Sequence, residues 1–232
     1  METFLLLLLL GGIVSMDTTS GPQVMVSEPL VSCSLLGILL GMPVIGLLMG
    51  IVFQLLWFDY MPLGAVRLTD NNMASFISTA SLLTAAKVYG FDNTIVRAAL
   101  LPAMLFGIAV GFSGLYMTVF IRKRNGMRSE EIVSGLERGE RPSLGMKHVF
   151  GIGTCFLKGV LMALVFVPVG AYLCGLVRHL PFKAVHVLVV GSYIIWGTVA
   201  ASALHFYWQY NKKRYFLIGS IGGFLWLLVN VI

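Results

Sequence analysis

The chain consists mostly of long apolar runs separated by short polar segments. Crossing the roughly 30 Å of bilayer hydrocarbon takes a helix of about 20 residues, and the longer runs meet this length. The first run is shorter, so we expect it to be tilted, partly inserted or extended through the loop beyond it. The pattern predicts an all-α polytopic integral membrane protein with about six to eight membrane segments, at about 4–14, 29–41, 43–58, 73–90, 95–121, 148–178, 184–208 and 215–232.

Composition supports this prediction and excludes a large water-soluble domain. Hydrophobic residues make up 58% of the chain and charged residues only 11%, and the mean hydropathy is +0.90. Soluble domains typically carry about 25% charged residues, which they need to cover their surface in water. We therefore expect residues 1–232 to form a single membrane-embedded domain.

The second and third apolar runs are unusually short and rich in glycine. Pro43 separates them, because proline cannot continue the hydrogen-bond ladder of a helix. Small residues recur four apart at Gly37 and Gly41 and at Gly46 and Gly50, a spacing typical of close helix packing in membranes. Short broken helices of this kind also form binding sites at membrane depth in transporters. Close packing alone is the alternative.

The formal charge of +6 is concentrated at the ends of apolar runs. One basic cluster lies within 122–147, together with acidic residues, and a second covers 212–214. Basic loops stay on the cytoplasmic side, so we predict a cytoplasmic amphipathic loop at about 122–147, containing a short surface helix that Ser129 caps. The mixed charge does not fit nucleic-acid binding, which we do not expect. The same rule places Asn93 outside.

Polar residues that follow the broken helices are the best candidates for substrate binding. Carboxylate and amide groups together can accept hydrogen bonds from adjacent hydroxyls of a sugar and donate hydrogen bonds to them. In lipid such groups are costly unless they face one another or a wet cavity. We predict a substrate site formed by Gln54, Asp70, Asn71 and Asn72, in a segment that also contains Asp59 and Arg67. A polar loop solvated in the cytoplasm is the alternative.

Other reactive residue types form no recognisable motif. The four histidines lack the spacing of a metal site, and the three cysteines are isolated within apolar runs. We therefore expect no catalytic residue, no metal and no cofactor. Lys158 lies within a predicted span, where a charge either serves a function or reaches the interface along its flexible stem, and both interpretations stay open. The roles of His186 and His205 are equally open.

The N-terminal half and the C-terminus resemble a known family of membrane transporters. The similarity covers most of the chain and is most specific in the N-terminal block. The chain is similar to the mannose/sorbose-type enzyme IIC of the bacterial sugar phosphotransferase system at residues 29–41, Gly46, Gly50, Gln54, Met61, Gly64, Ala65, Asp70, 74–78 and 212–219.

The resemblance implies the sugar-translocating subunit of a phosphoenolpyruvate-dependent phosphotransferase system in the bacterial inner membrane. In that family the subunit pairs with a second membrane subunit, enzyme IID, in a hetero-oligomer surrounded by lipid. Cytoplasmic IIA and IIB components phosphorylate the incoming sugar, so the IIC chain itself is not an enzyme. Asp70 falls on an aspartate of the family, whereas Gln54 falls where the family often has glutamate.

Two other functions are considered. An intramembrane lipid-headgroup enzyme would need a cluster of acidic metal ligands, which Asp59 and Asp70 alone do not supply. A non-transporting scaffold subunit is the other, and the departure at Gln54 keeps it open. The sequence names neither the sugar nor the stoichiometry of the complex.

Overall fold

A computed structural model describes residues 2–18, 20–58, 69–140, 143–209, 214 and 217. The described residues contain helices and no strand, which confirms the predicted all-α class. The predicted last span (215–232), apart from residue 217, and both Asp59 and Arg67 lie outside the described residues. The helices are α1 (Glu2–Asp17), α2 (Pro29–Leu40), α3 (Pro43–Leu56), α4 (Asn71–Tyr89), α5 (Asn93–Glu137), α6 (Leu144–Gly175), a short 3-10 helix (Leu176–His179) and α7 (Phe182–Gln209).

Three of the described helices are long and apolar enough to cross a bilayer. They lie at Asn93–Glu137, Leu144–His179 and Phe182–His205, and α2 and α3 are shorter apolar helices. Many large apolar side chains on these elements are exposed, as expected for helices whose solvent is lipid. The chain is therefore a multi-pass membrane protein.

The predicted break between α2 and α3 is present. Gly41 ends α2 in the left-handed conformation (φ 79°), and Pro43 begins α3, where its missing N–H costs nothing. The two helices fold back on each other as a hairpin at a glycine contact. A methyl group added to Gly46 would lie 2.6 Å from the Cα of Gly37 and 2.5 Å from the carbonyl oxygen of Cys33. The predicted small-residue face is thus a packing face.

Helix α4 lies at the centre of the bundle, in contact with α1, α2, α3, α5 and α6. Its residues from Met73 to Leu83 are all buried, including hydroxyl side chains that bond to neighbouring helices. Ser78 donates to the carbonyl oxygen of Ala103 (2.8 Å), and Thr79 donates to the sulfur of Cys33 (3.2 Å). These two hydroxyls tie α4 to its neighbours, and each of them is paired.

Helix α5 is longer than the sequence predicts. It runs without a break from Asn93 to Glu137, so the predicted end at residue 121 and the separate helix capped by Ser129 are both wrong. The 45 residues span about 68 Å, more than twice the hydrocarbon thickness. The change from apolar to charged residues near Arg122 marks where the helix leaves the apolar layer. It does not mark where the helix ends.

The start of α6 packs against this charged extension of α5. Lys147 bonds to Glu131 at 3.4 Å, and the guanidinium of Arg128 lies 4.2 Å from the ring centre of Phe150. Further along, α6 crosses α1 at Gly159, where an added methyl group would clash with the backbone of Gly11. Side-chain contacts with α5 therefore hold the start of α6, and close packing against α1 holds the helix near Gly159.

Candidate functional site

Polar side chains gather at one end of the bundle, where α1 and α3 end and α2 and α4 begin. Contacts across this end fix the arrangement. Asn72 at the start of α4 donates to Thr18 after α1 (3.3 Å), and Trp57 after α3 donates to Ser75 in the first turns of α4 (3.2 Å). The middle of α5 and residue Lys158 of α6 complete this group.

The most buried feature at this end is an ion pair between Asp70 and Lys158. Lys158 donates to Oδ2 of Asp70 at 2.6 Å, and the two side chains are 7% and 6% exposed. The ammonium also donates to the hydroxyl of Thr118 at 3.2 Å. Lys158 therefore does not extend to the interface, and its charge is compensated within the protein. An uncompensated charge at this depth would be strongly destabilising.

Local backbone structure holds the Asp70 carboxylate in place. Oδ1 accepts from the backbone N–H of Met73 at 3.2 Å, which caps the N-terminus of α4. The N–H of Asp70 itself donates to the carbonyl oxygen of Gly111 on α5 (3.1 Å). Both carboxylate oxygens thus have a protein donor, and the residue links α4, α5 and α6.

Glycines on α5 make room for Asp70. A methyl group added to Gly114 would lie 2.6 Å from the Cβ of Asp70 and 3.1 Å from its Oδ2. One added to Gly107 would lie 2.5 Å from the Cβ of Ser78, further along α4. Real Cβ atoms do not approach this closely, so only glycine lets the start of α4 reach the depth at which Asp70 meets Lys158.

Gln54 forms a second polar pair, with Glu28. Its Nε2 donates to Oε2 of Glu28 at 2.9 Å, and its Oε1 accepts from the backbone N–H of Leu30 at 3.2 Å. Both side chains are only half-buried. The sequence analysis missed Glu28, although two signals mark it. It directly precedes the helix-starting Pro29, and it is the only carboxylate between Asp17 and Asp59.

Asn71 and Asn72 lie at the start of α4 and are half-buried. Asn71 accepts from the hydroxyl of Thr69 through its side chain and from the hydroxyl of Ser75 through its backbone carbonyl. The amide nitrogen of Asn72 donates to Thr18. Their amide groups retain further hydrogen-bonding capacity, because each carries two donors and an acceptor with two lone pairs.

Asp17, a second residue that the sequence analysis missed, anchors the segment between α1 and α2. Its carboxylate is buried and accepts from the backbone N–H groups of Val24 (2.8 Å) and Ser27 (3.0 Å). Within that segment Gln23 and Met25 have positive φ angles of 53° and 66°, a conformation that side chains disfavour. The Asp17 contacts hold this segment beside the polar end of the bundle.

A cavity of about 340 Å³ opens between this segment, the middle of α5 and α6. Its lining includes Thr18, which bonds to Asn72, and Lys158, which bonds to Asp70. Two of the predicted site residues are thus one contact away from the cavity. Gln54 and Asn71 bond to other groups, so the structure does not bring all four predicted residues around one space.

The described residues contain no group of three or more His, Cys, Asp or Glu side chains that could hold a metal ion. His179 accepts from Arg178 at 2.9 Å, and His186 stacks on Phe182 with ring centres 6.3 Å apart. The three cysteines are free and buried.

Comparison with known proteins identifies the family of the chain. A family profile described as the sorbose-specific IIC component of the phosphotransferase system (PTS) matches residues 1–227. The chain belongs to this family. It is thus a sugar-translocating membrane subunit of a phosphotransferase system, which confirms the function predicted from the sequence.

A solved structure shares the fold. It is a cryo-EM structure of the mannose transporter ManYZ in complex with microcin E492 (MceA). The match has a TM-score of 0.54 and 18% identity, and it covers 100% of this chain and 95% of that chain. A comparison with curated proteins finds no match. At this identity the solved structure supports the membrane-transporter fold and says nothing about the sugar.

Proposed function

We propose that the half-exposed polar groups at this end of the bundle bind the transported sugar. The Gln54–Glu28 pair carries the proposal, because it places an amide and a carboxylate side by side, 2.9 Å apart and half-buried. The described contacts use one donor of Gln54 and one oxygen of Glu28. The remaining donor and carboxylate oxygen match two neighbouring hydroxyls of a sugar ring.

In this proposal the four predicted site residues have different tasks. Gln54, Asn71 and Asn72 contact the sugar through their amides, which have spare hydrogen-bonding capacity. Asp70 is a positioning residue, since its carboxylate already accepts from Lys158 and from the cap of α4. Its effect on the sugar passes through Lys158 and the orientation of the first turn of α4.

The proposal extends to the partners and the compartment. The chain works in a bacterial inner membrane with an IID-like membrane subunit, and cytoplasmic IIA and IIB components transfer phosphate to the sugar that it delivers. Family membership supports a sugar as the transported substrate and a phosphotransferase system as the setting. The solved structure that shares the fold is that of a mannose transporter, ManYZ, which supports a role in sugar transport across a membrane.

Uptake of radiolabelled sugar tests this assignment in cells that contain all partner subunits, with uptake normalised to the amount of protein in the membrane. We expect Glu28→Gln to weaken apparent affinity roughly ten- to hundredfold, the effect of losing a hydrogen bond to a charged group. Gln54→Ala should weaken it by less, roughly two- to tenfold, because a neutral amide makes weaker bonds. Gln54→Glu places a second carboxylate 2.9 Å from Glu28, so we expect uptake by this variant to improve as the pH falls and one carboxyl is protonated.

Glu137→Gln is the matched control, because this exposed residue ends α5 far from the pair. Normal uptake by Gln54→Ala and Glu28→Gln would remove the pair from the sugar path. A wild-type complex that assembles but transports nothing would favour the scaffold hypothesis.

A further inference from the structure

The cavity beside Lys158 has a lining with an excess of positive charge. Arg122 and Lys158 line it, along with hydroxyl and amide side chains such as Thr118 and Asn125, and none of the described lining residues is a carboxylate. Its volume of about 340 Å³ falls within the range of small-molecule sites, roughly 300–1,000 Å³.

The charges do not cancel around this space. Asp70 compensates Lys158 at 2.6 Å from outside the lining, whereas Arg122 has no carboxylate partner among the described residues. Asp70, Lys158 and Arg122 together carry one net positive charge. The guanidinium of an arginine is a cation that donates hydrogen bonds and accepts none.

Donors for an anion are also free. Two of the three ammonium hydrogens of Lys158 are used by Asp70 and Thr118 within the described part of the chain, which leaves one for a molecule in the cavity. Arg122 adds five N–H donors in a planar group that matches the oxygens of phosphate. A phosphate group, which has several acceptor oxygens and negative charge, complements this lining better than a neutral sugar does.

We propose that this cavity binds the phosphate group of a phosphorylated sugar, as the product site of the transport cycle. The inference rests on the proposed function, because only a sugar phosphorylated at this membrane face would supply the ligand. Arg122 is the first residue of the charged extension of α5. The cavity that it lines therefore lies where α5 leaves the apolar layer. The half-exposed Gln54–Glu28 pair receives the neutral sugar, and the cationic cavity receives its phosphate ester.

Isothermal titration calorimetry on the complex with its membrane partner tests the proposal. The complex is held in nanodiscs of phosphatidylcholine and titrated with mannose 6-phosphate, inorganic phosphate or mannose as probes. We expect mannose 6-phosphate to bind more tightly than either of the other two. Arg122→Gln is expected to weaken its binding roughly ten- to hundredfold, through the loss of charged hydrogen bonds. Arg124→Gln is the control, because Arg124 lies over Phe120 and does not line the cavity.

Lipid headgroups also carry phosphate, so a separate experiment tests whether the cavity binds lipid. Nanodiscs containing phosphatidylglycerol are examined by native mass spectrometry for lipid retained by the complex. Retention that Arg122→Gln abolishes, without binding of mannose 6-phosphate, would assign the cavity to lipid and overturn the proposal. Equal binding of mannose and its phosphate, or binding indifferent to Arg122→Gln, would overturn it as well.

Uptake measured on the same proteins separates the two levels of inference. A wild-type complex that transports sugar but binds no phosphate ester refutes the cavity proposal alone. A complex that binds the ester through Arg122 without transporting sugar refutes the proposed function and leaves the cavity assignment in place.

Discussion

Replacing Asp70 by asparagine is expected to destabilise the protein more than any surface charge change. The substitution keeps the shape of the side chain and an oxygen that caps α4 through the N–H of Met73. It removes the negative charge that faces Lys158 at 2.6 Å. Because Lys158 is 7% exposed, its ammonium would then be buried without compensation.

The magnitude follows from the opposing terms of a buried ion pair. At 2.6 Å and an effective dielectric constant of about 20, the Coulomb attraction is about 6 kcal/mol. Removing two ions from water costs several kcal/mol each, so the intact pair contributes little net stability. Removing one partner leaves the penalty of the other, typically about 3–5 kcal/mol. The loss of stability in Asp70→Asn therefore comes mainly from the buried charge of Lys158, which no longer has a partner.

A double-mutant cycle isolates this effect. We expect Asp70→Asn to lower the melting temperature of the detergent-solubilised complex by roughly 6–20 °C, from about 2–4 °C per kcal/mol for a chain of this size. Adding Lys158→Met removes the stranded charge and should restore most of the loss. Glu131→Gln is the control, since its bond to Lys147 is an exposed pair worth at most about 1 kcal/mol.

Two results would refute this reasoning. A stable Asp70→Asn variant would show that the charge is compensated by something other than this contact. A double variant as unstable as the single one would show that the stability is lost through a weaker cap of α4 and not through the charge of Lys158. A stable Asp70→Asn variant that has lost sugar uptake would instead make Asp70 a direct sugar contact.

Two further outcomes follow from the helices themselves. Gly114→Ala places a methyl group 2.6 Å from the Cβ of Asp70, so we expect a lower melting temperature. Gly126→Ala, with no neighbour within 4 Å, should be neutral or raise stability by up to about 1 kcal/mol. Single cysteines at Asn93 and Arg128, in a background without the native cysteines, should lie on opposite faces, with only Asn93 labelled by impermeant thiol reagents in intact cells. Labelling of the cysteine at position 128 alone would show that the orientation is the opposite of the predicted one.

The sequence predicts helices well wherever backbone chemistry sets the boundary. Pro43 and the left-handed Gly41 define the α2–α3 break to within a residue or two. The prediction fails in α5, where polarity was used to end a helix. Arg122 and the residues after it favour helix as strongly as the apolar ones before them. Hydropathy therefore locates the membrane boundary of α5, and helix propensity carries the helix past it to Glu137.

Only part of the polar end of the bundle could be singled out from the sequence, and none of its contacts could. Gln54 and Asp70 are recognisable because polar groups are rare beside broken apolar helices. Their partners are not recognisable in the same way. Lys158 lies 88 residues from Asp70, and nothing in the spacing of either residue indicates the other. Only the packing of α4 against α5 and α6, made possible by Gly114, brings them together.

The two polar pairs at this end of the bundle differ in exposure, and in the proposed function this difference separates their tasks. Asp70 and Lys158 are buried and join α4 to α6, so we expect a change in either one to alter stability first. Gln54 and Glu28 are half-buried, and both belong to the α2–α3 hairpin or its entry. Contacts between the hairpin and a substrate can change without disturbing the central helices. Differences in sugar preference within the family are therefore expected to arise at the hairpin, while the buried pair preserves the frame that supports it.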